Sequence, residues 1–289
     1  MEAYTDFASV YDIFMDNTPY REWASYIAAS LEEYGVARED ALASCIIPAS
    51  ERGMLSEENM AHQKALAVER NVVVDLGCGT GTLTELLADR GYDMIGVDDS
   101  QEMLNIALEK REKSGKEILY LCQDMRELEL YGTAGAVISV CDSLNYLLEE
   151  EELLQVFRLV NNYLYPGGIF LFDFNTVYKY EMVIGDSVIA ENREDCSFIW
   201  ENYYDAEGQI NEYDLTIFAK AKDKEDLFRR FTETHYQRGY TLEGMRAIVE
   251  KAGMEFIKAV DADTQEEVRE ESERIYVIAR EHGKEKMEN

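Results

Sequence analysis

The chain has 289 residues, with 28 Lys+Arg against 59 Asp+Glu and a formal net charge of −31. A shell that acidic repels phosphate backbones and anionic bilayers, so nucleic-acid and membrane-surface partners are not expected. With 46% hydrophobic and 11% aromatic residues, the chain is too apolar to remain disordered, and a compact core is expected beneath the charge. The five cysteines, Cys45, Cys78, Cys122, Cys141 and Cys196, are odd in number and form no CxxC pair. Neither a disulfide framework nor a metal site is therefore expected. The N-terminal residues lack a basic segment followed by an apolar one. No apolar run reaches the roughly 18 residues of a membrane span, and a cytoplasmic location is expected.

In chain order, Tyr4 to Tyr34 read as helical, with Phe7, Val10, Tyr11, Phe14, Trp23, Tyr26, Ile27 and Leu31 at three- and four-residue spacing. Gly35 is a stop. Residues 37–70, with Pro48 and Gly53, read as an irregular insertion. From Asn71 the pattern clears. Val72 to Val74 is a β-branched run suited to a strand buried on both faces. A glycine turn follows, then a helix carrying Leu83, Leu86 and Leu87. Strand Met94–Val97, helix Ser100–Lys113 and strands Ile118–Cys122 and Ala136–Val140 come next. Helix Glu149–Leu164 leads through Pro166-Gly167-Gly168 to a fifth strand, Ile169–Phe174. Strand alternating with helix implies a doubly wound, mostly parallel α/β sheet.

After Tyr178 the period changes. Residues 187–237 show three or four alternating β segments, with turns at Asp205–Gly208 and Lys222–Lys224. Helix Thr241–Ala252 and strands Phe256–Val260 and Ile275–Ala279 follow, and the Glu/Lys-rich end from Glu281 is expected to fray. The expected organisation is a helical lid over 1–36, the irregular stretch 37–70, an α/β domain over 71–180 and 238–281, and an antiparallel β insertion over 181–237. That insertion would cover a substrate or mediate a homodimer.

The strongest signal is VVVDLGCGTG, Val72 to Gly81. Glycines after a first strand let backbone approach a ligand where a side chain would clash. Gly77, Gly79 and Gly81 are spaced GxGxG rather than GxGxxG, and Asp75 stands two residues before the first. A pyrophosphate is poorly served by that carboxylate, whereas an ammonium is well served. Asp98 closes the second strand 17 residues beyond Gly81, where a carboxylate accepts from ribose hydroxyls. Asp124 follows the third strand, placed to accept from an adenine amino group, with Met103 and Met125 available to pack on the ring. All three acids sit at carboxyl ends of consecutive strands, where open α/β sheets bind ligands.

VVVDLGCGTGTLTELLADRGYDMIGVDDSQEML, then QDMREL and VISVCDSLNYL, resembles the class I S-adenosylmethionine (SAM)-dependent methyltransferases. The resemblance spans about Asn71 to Phe174 and, loosely, the last two strands. It implies a seven-stranded Rossmann-like sheet whose last strand is antiparallel, with SAM as cofactor. Carried over, Gly77, Cys78 and Gly79 line the methionine portion, Asp98 holds the ribose and Asp124-Met125 flank the adenine. Cys141 offers its carbonyl to the methionine amine. YTDFASVYDIFM and PYREW are similar to the start of small-molecule members, which makes Tyr11, Tyr20 and Trp23 lid residues over the cofactor.

The implied reaction is methyl transfer to nitrogen or oxygen of a small, neutral or cationic acceptor. The cofactor supplies the reactive carbon and the protein mainly alignment, so the catalytic residue leaves little trace. Candidates at the fourth and fifth strand ends are Asp142, Asn145, Tyr146, Asp173 and Asn175. CDSLNYL is not the NPPY-type loop of enzymes that methylate bases or glutamine. His62, His235 and His282 form no dyad, and at least two read as surface or packing residues. A NAD-dependent oxidoreductase and a non-catalytic SAM-binding module stay open as alternatives.

Overall fold

Seven strands form one sheet in the computed structural model, which describes residues 7–36, 70–221 and 227–284. The expected irregular stretch, apart from Arg70, and the turn at Lys222–Lys224 lie outside those residues, as do Cys45 and His62. In chain order the elements are α1 (Ala8–Phe14), α2 (Tyr20–Glu33), β1 (Val72–Leu76), α3 (Thr82–Ala88), β2 (Asp93–Asp98), α4 (Gln101–Ser114), β3 (Leu119–Cys122) and β4 (Ala134–Ser139). Then come α5 (Glu150–Tyr163), β5 (Leu164–Asn175), β6 (Val188–Asn192), β7 (Cys196–Asp205), β8 (Ile210–Lys220) and β9 (Phe228–Arg238). The chain closes with α6 (Leu242–Lys251), β10 (Met254–Asp261) and β11 (Arg274–Glu281).

The sheet order is β10-β11-β5-β4-β1-β2-β3. Strands β1 to β5 run parallel, and β11 lies antiparallel between β5 and β10. This is the seven-stranded, mostly parallel sheet that the resemblance implied. Helices cover both faces, so β1 and β4 are buried almost throughout and read as unbroken apolar runs. Local chemistry fixes the helix ends. Ser100 accepts the Met103 amide, and Gly115 ends α4 in the left-handed region. Glu149 and Glu152 form a capping box at the head of α5, where their charge also complements the helix dipole. The face of α5 that this fixes carries Phe157, edge-on to Phe170 and Phe172 of β5.

Three expectations change. The N-terminal helix is two helices, because Pro19 has no amide to donate and disfavours helical backbone at Thr18. Strand β5 begins at Leu164 and takes in Pro166-Gly167-Gly168. A positive φ of 78° at Gly167 and a register shift against β4 absorb the irregularity. Glu281 is not frayed. It is buried, accepts the Gly167 amide at 2.7 Å and precedes Lys284, whose ammonium donates to the carbonyls of Asn161, Asn162 and Leu164.

The insertion is a separate four-stranded antiparallel sheet, β6-β7-β8-β9. Its aromatic residues divide by face. Trp200, Tyr213, Leu215, Ile217 and Phe231 pack with Val10, Phe7 and Phe14 of the α1 segment, whereas Tyr203, Phe228 and Tyr236 are exposed. The expected lid and the expected cover are thus one unit.

Candidate active site

The glycine loop is shaped by what stands behind it. Val97 of β2 accepts the amides of Gly77 and Cys78 at 2.7 and 3.0 Å. A Cβ at Gly77 would lie 2.5 Å from Ser143 Oγ, and one at Gly81 would lie 2.4 Å from the Tyr120 hydroxyl. Both positions also have φ above 70°, so each needs glycine on two counts. The loop, the ends of β1 to β4, α1 and α2 enclose a cavity. It is lined by every expected cofactor residue but Gly81, namely Tyr11, Tyr20, Trp23, Asp75, Gly77, Cys78, Gly79, Asp98, Met103, Asp124, Met125 and Cys141. Gly81 turns the chain behind it.

The acids differ in their surroundings. Asp98 accepts the Gly79 amide at 2.7 Å and the Ser100 amide at 3.0 Å, and burial pushes its carboxyl up to about 6. Asp75 accepts the Thr84 hydroxyl at 2.6 Å, and burial pushes it up to about 7. Among the described residues no basic side chain is paired with either. Asp124 is held below the usual carboxylate range by Arg126, whose guanidinium donates to both of its oxygens and also reaches Glu152. A buried pair of carboxylates awaiting positive charge fits a sulfonium cofactor with an ammonium group. A bare opening at Gly79, where a Cβ would meet nothing within 4 Å, fits its close approach.

The opposite wall is the segment Cys141–Tyr146. Cys141 and Asp142 both have positive φ, 74° and 56°, a conformation that costs non-glycine residues of order 1–3 kcal/mol each. Asp173 holds the strain in place by accepting both amides, at 3.0 and 2.9 Å. Fully buried, it faces Arg274 at 3.5 Å, and Arg274 donates to Asp142 at 2.6 Å. Burial raises the Asp173 carboxyl against the lowering influence of Arg274. Arg274 also lies over the Trp23 ring, 5.5 Å from its centroid. The Cys141 thiol is pushed up to about 12, chiefly by burial, which makes it inert.

Of the five catalytic candidates, only Tyr146 lines the cavity. Asn145 is buried and donates to the carbonyls of Asn175 and Arg238 while accepting the Asn175 amide, so it ties β5 to β9. Asn175 donates to the Tyr180 hydroxyl and accepts from Lys179 and Arg274. Asp142 accepts from Arg274 and Gln237. These side chains with Asp173 form the frame behind the wall.

The α1 segment is tied down at two points. Asp12 on α1 accepts from Thr80 at 2.7 Å and pairs with Lys110 at 2.7 Å. Arg193 on the β6–β7 turn pairs with Asp16 at 2.7 Å and lies over Phe14. Tyr11, Tyr20 and Cys141 line the cavity together. Sequence reasoning missed this strap and missed His235, which the insertion brings to Tyr146. Its partners lie far apart in sequence, so no local spacing marks them.

Among the described residues no helix is long and apolar enough to cross a membrane. A family model described as "Methyltransferase domain" matches residues 73–168. The chain is 32% identical to "Putative methyltransferase YqeM" of Bacillus subtilis (strain 168) over 277 residues, which is 96% of each chain. A SAM-dependent methyltransferase structure from Clostridium acetobutylicum ATCC 824 aligns with TM-score 0.77 and 25% identity, covering 98% of this chain and all of that one. SAM-bound CalS10 of Micromonospora echinaspora, an amino pentose methyltransferase, shares the fold at TM-score 0.57 and 20% identity, covering 81% of this chain and 95% of that one. These relationships favour a SAM-dependent enzyme over a nicotinamide oxidoreductase or a non-catalytic module.

Proposed function

The chain belongs to the class I SAM-dependent methyltransferase family, and from that membership we propose that it methylates nitrogen or oxygen of a small, neutral or cationic acceptor. When bound, the cofactor supplies an electrophilic methyl group on a sulfonium centre. Gly77, Cys78, Gly79 and the Cys141 carbonyl would line its methionine portion, and Asp75 would balance its positive charge. The Asp98 carboxylate would accept from the ribose hydroxyls. Asp124 would accept from the adenine amino group beside its Arg126 bonds, with Met103 and Met125 against the ring. Tyr11, Tyr20 and Trp23 roof the cavity and exclude water, which strengthens every charge interaction inside it.

One observation carries the choice of a small acceptor: the α1 lid is tied across the cavity to both the glycine loop and the insertion through Asp12 and Arg193. A folded polymer is poorly served by such a roof, and a net charge of −31 further disfavours nucleic acid. Titration calorimetry of S-adenosylhomocysteine (SAH) into the full-length protein tests the cofactor half. One-site binding that Asp98→Ala weakens about a hundredfold is expected. Failure to bind, or binding indifferent to Asp98, would overturn it.

A further inference from the structure

The cavity wall opposite the glycine loop carries a polar chain that cofactor binding does not use. Tyr146 lines the cavity, and its hydroxyl lies 2.8 Å from the Tyr213 hydroxyl and 3.3 Å from His235 Nδ1. The His235 ring is stacked on Tyr213, with centroids 4.9 Å and planes 8° apart, and its side chain is fully buried. On the far side His235 Nε2 lies 3.3 Å from Glu233 Oε2. Glu233 Oε1 accepts the Phe7 amide at 3.0 Å, which joins the chain to the lid. Gln237, further along the same face, donates to Asp142, whose charge Arg274 matches. The groups facing the imidazole are therefore Tyr146 from the turn after β4, Tyr213 from β8 and Glu233 from β9, with Asp142 and Arg274 beyond Gln237.

Hydroxyl, imidazole and carboxylate in that order run from the cavity into the insertion. Burying such a series costs free energy unless each member is satisfied by the next. With Glu233 Oε2 nearest to Nε2, the tautomer protonated on Nε2 is favoured, which leaves Nδ1 to accept from Tyr146. Building on the methyltransferase reading, we propose that Tyr146, His235 and Glu233 form a relay that takes up the proton an acceptor N–H or O–H group loses on methylation. The acceptor's bond to hydrogen breaks, its bond to the methyl carbon forms, and the carbon–sulfur electron pair goes to sulfur. The released proton passes to the Tyr146 oxygen as the Tyr146 proton moves to His235 Nδ1. Tyr146 is the catalytic residue here, whereas His235 and Glu233 act through it as positioning residues. The relay assigns the acceptor to compounds that carry an N–H or O–H at the methylated atom, since a tertiary amine or a thiolate releases no proton.

The test uses full-length protein labelled with 15N-histidine and saturated with SAH, together with SAM turnover on two probe acceptors, tyramine and 4-methylcatechol. Long-range 1H–15N correlation is expected to show His235 neutral with its proton on Nε2, and a changed Nδ1 shift in Tyr146→Phe. With the probes, Tyr146→Phe and His235→Gln are expected to lower kcat about a hundredfold at unchanged KM for SAM. His235→Gln should also erase the acid limb of the pH–rate profile. A proton on Nδ1 overturns the relay, as does an unchanged profile in His235→Gln or a wild-type protein that methylates neither probe. Calorimetry on the same protein separates the two failures: without SAH binding the methyltransferase reading fails, whereas with it the relay alone does.

Discussion

The wall built from β1, β2 and the glycine loop holds Asp75 and Asp98 with backbone amides and a hydroxyl but, among the described residues, no basic side chain. The wall built from Cys141–Tyr146 sets the buried Asp173 and the half-buried Asp142 against Arg274. The first is a charge imbalance that a cationic ligand relieves, and its carboxyls are accordingly pushed upward. The second is balanced internally, Arg274 and nearby Lys179 offsetting the two carboxylates, and Asp173 holds two residues in the left-handed region by accepting their amides. One wall is prepared for a ligand's charge; the other keeps a backbone shape whether or not a ligand is bound.

Breaking the balanced wall should have the largest effect. Arg274→Met leaves the buried Asp173 carboxylate, and the half-buried Asp142 beside it, without their paired cation, a loss of about 3–5 kcal/mol, measurable by urea unfolding of the cofactor-free protein. A change under about 1 kcal/mol would mean the cluster is solvated and the contrast between the walls is false. The unbalanced wall should respond in affinity instead. Asp98→Ala is expected to weaken SAH binding about a hundredfold, equivalent to about 3 kcal/mol for charged hydrogen bonds, with little change in unfolding.

The pH dependence separates the walls further. Asp75 and Asp98 hold protons in the folded state up to about 7 and about 6, against 3.8 in an unfolded chain. Their raised values mean that stability of the cofactor-free protein falls as pH rises from about 4 to about 7. Affinity for SAH should move the other way and rise about tenfold between pH 5 and pH 8, because the ribose is accepted by the ionised Asp98. Asp75→Asn should flatten the stability slope over that interval. The smallest effect belongs to the strap. Lys110→Ala removes a partly exposed pair with Asp12 worth about 0–1 kcal/mol, and stopped-flow should show faster SAH release by no more than about fivefold.

The first wall was largely legible in the sequence, because it is written locally. Asp75 and Asp98 end apolar runs and Gly77 to Gly81 follow at fixed spacing, so strand, loop and acid announce one another. The second wall was legible only as a set of polar residues at strand ends. Sequence treats Asp142, Asn145, Asp173 and Asn175 alike as catalytic candidates, but their tasks depend on Arg274, 101 residues beyond Asp173 in the chain and next to Asn175 only through antiparallel register. His235 stood out no more than His62 or His282 for the same reason: Tyr146 is 89 residues away, and β8–β9 register brings His235 to Tyr213. Pro19 marked the break in the N-terminal helix, but the aromatic spacing across it hid the signal.

Tritiated methyl SAM tests the central claim most directly. Full-length protein is incubated with it and either the deproteinised small-molecule fraction or the macromolecular fraction of a bacterial extract. The expected result is protein-dependent label in low-molecular-weight products bearing new N- or O-methyl groups, lost in Asp98→Ala. Label confined to protein or RNA, or transfer that survives Asp98→Ala, would contradict it.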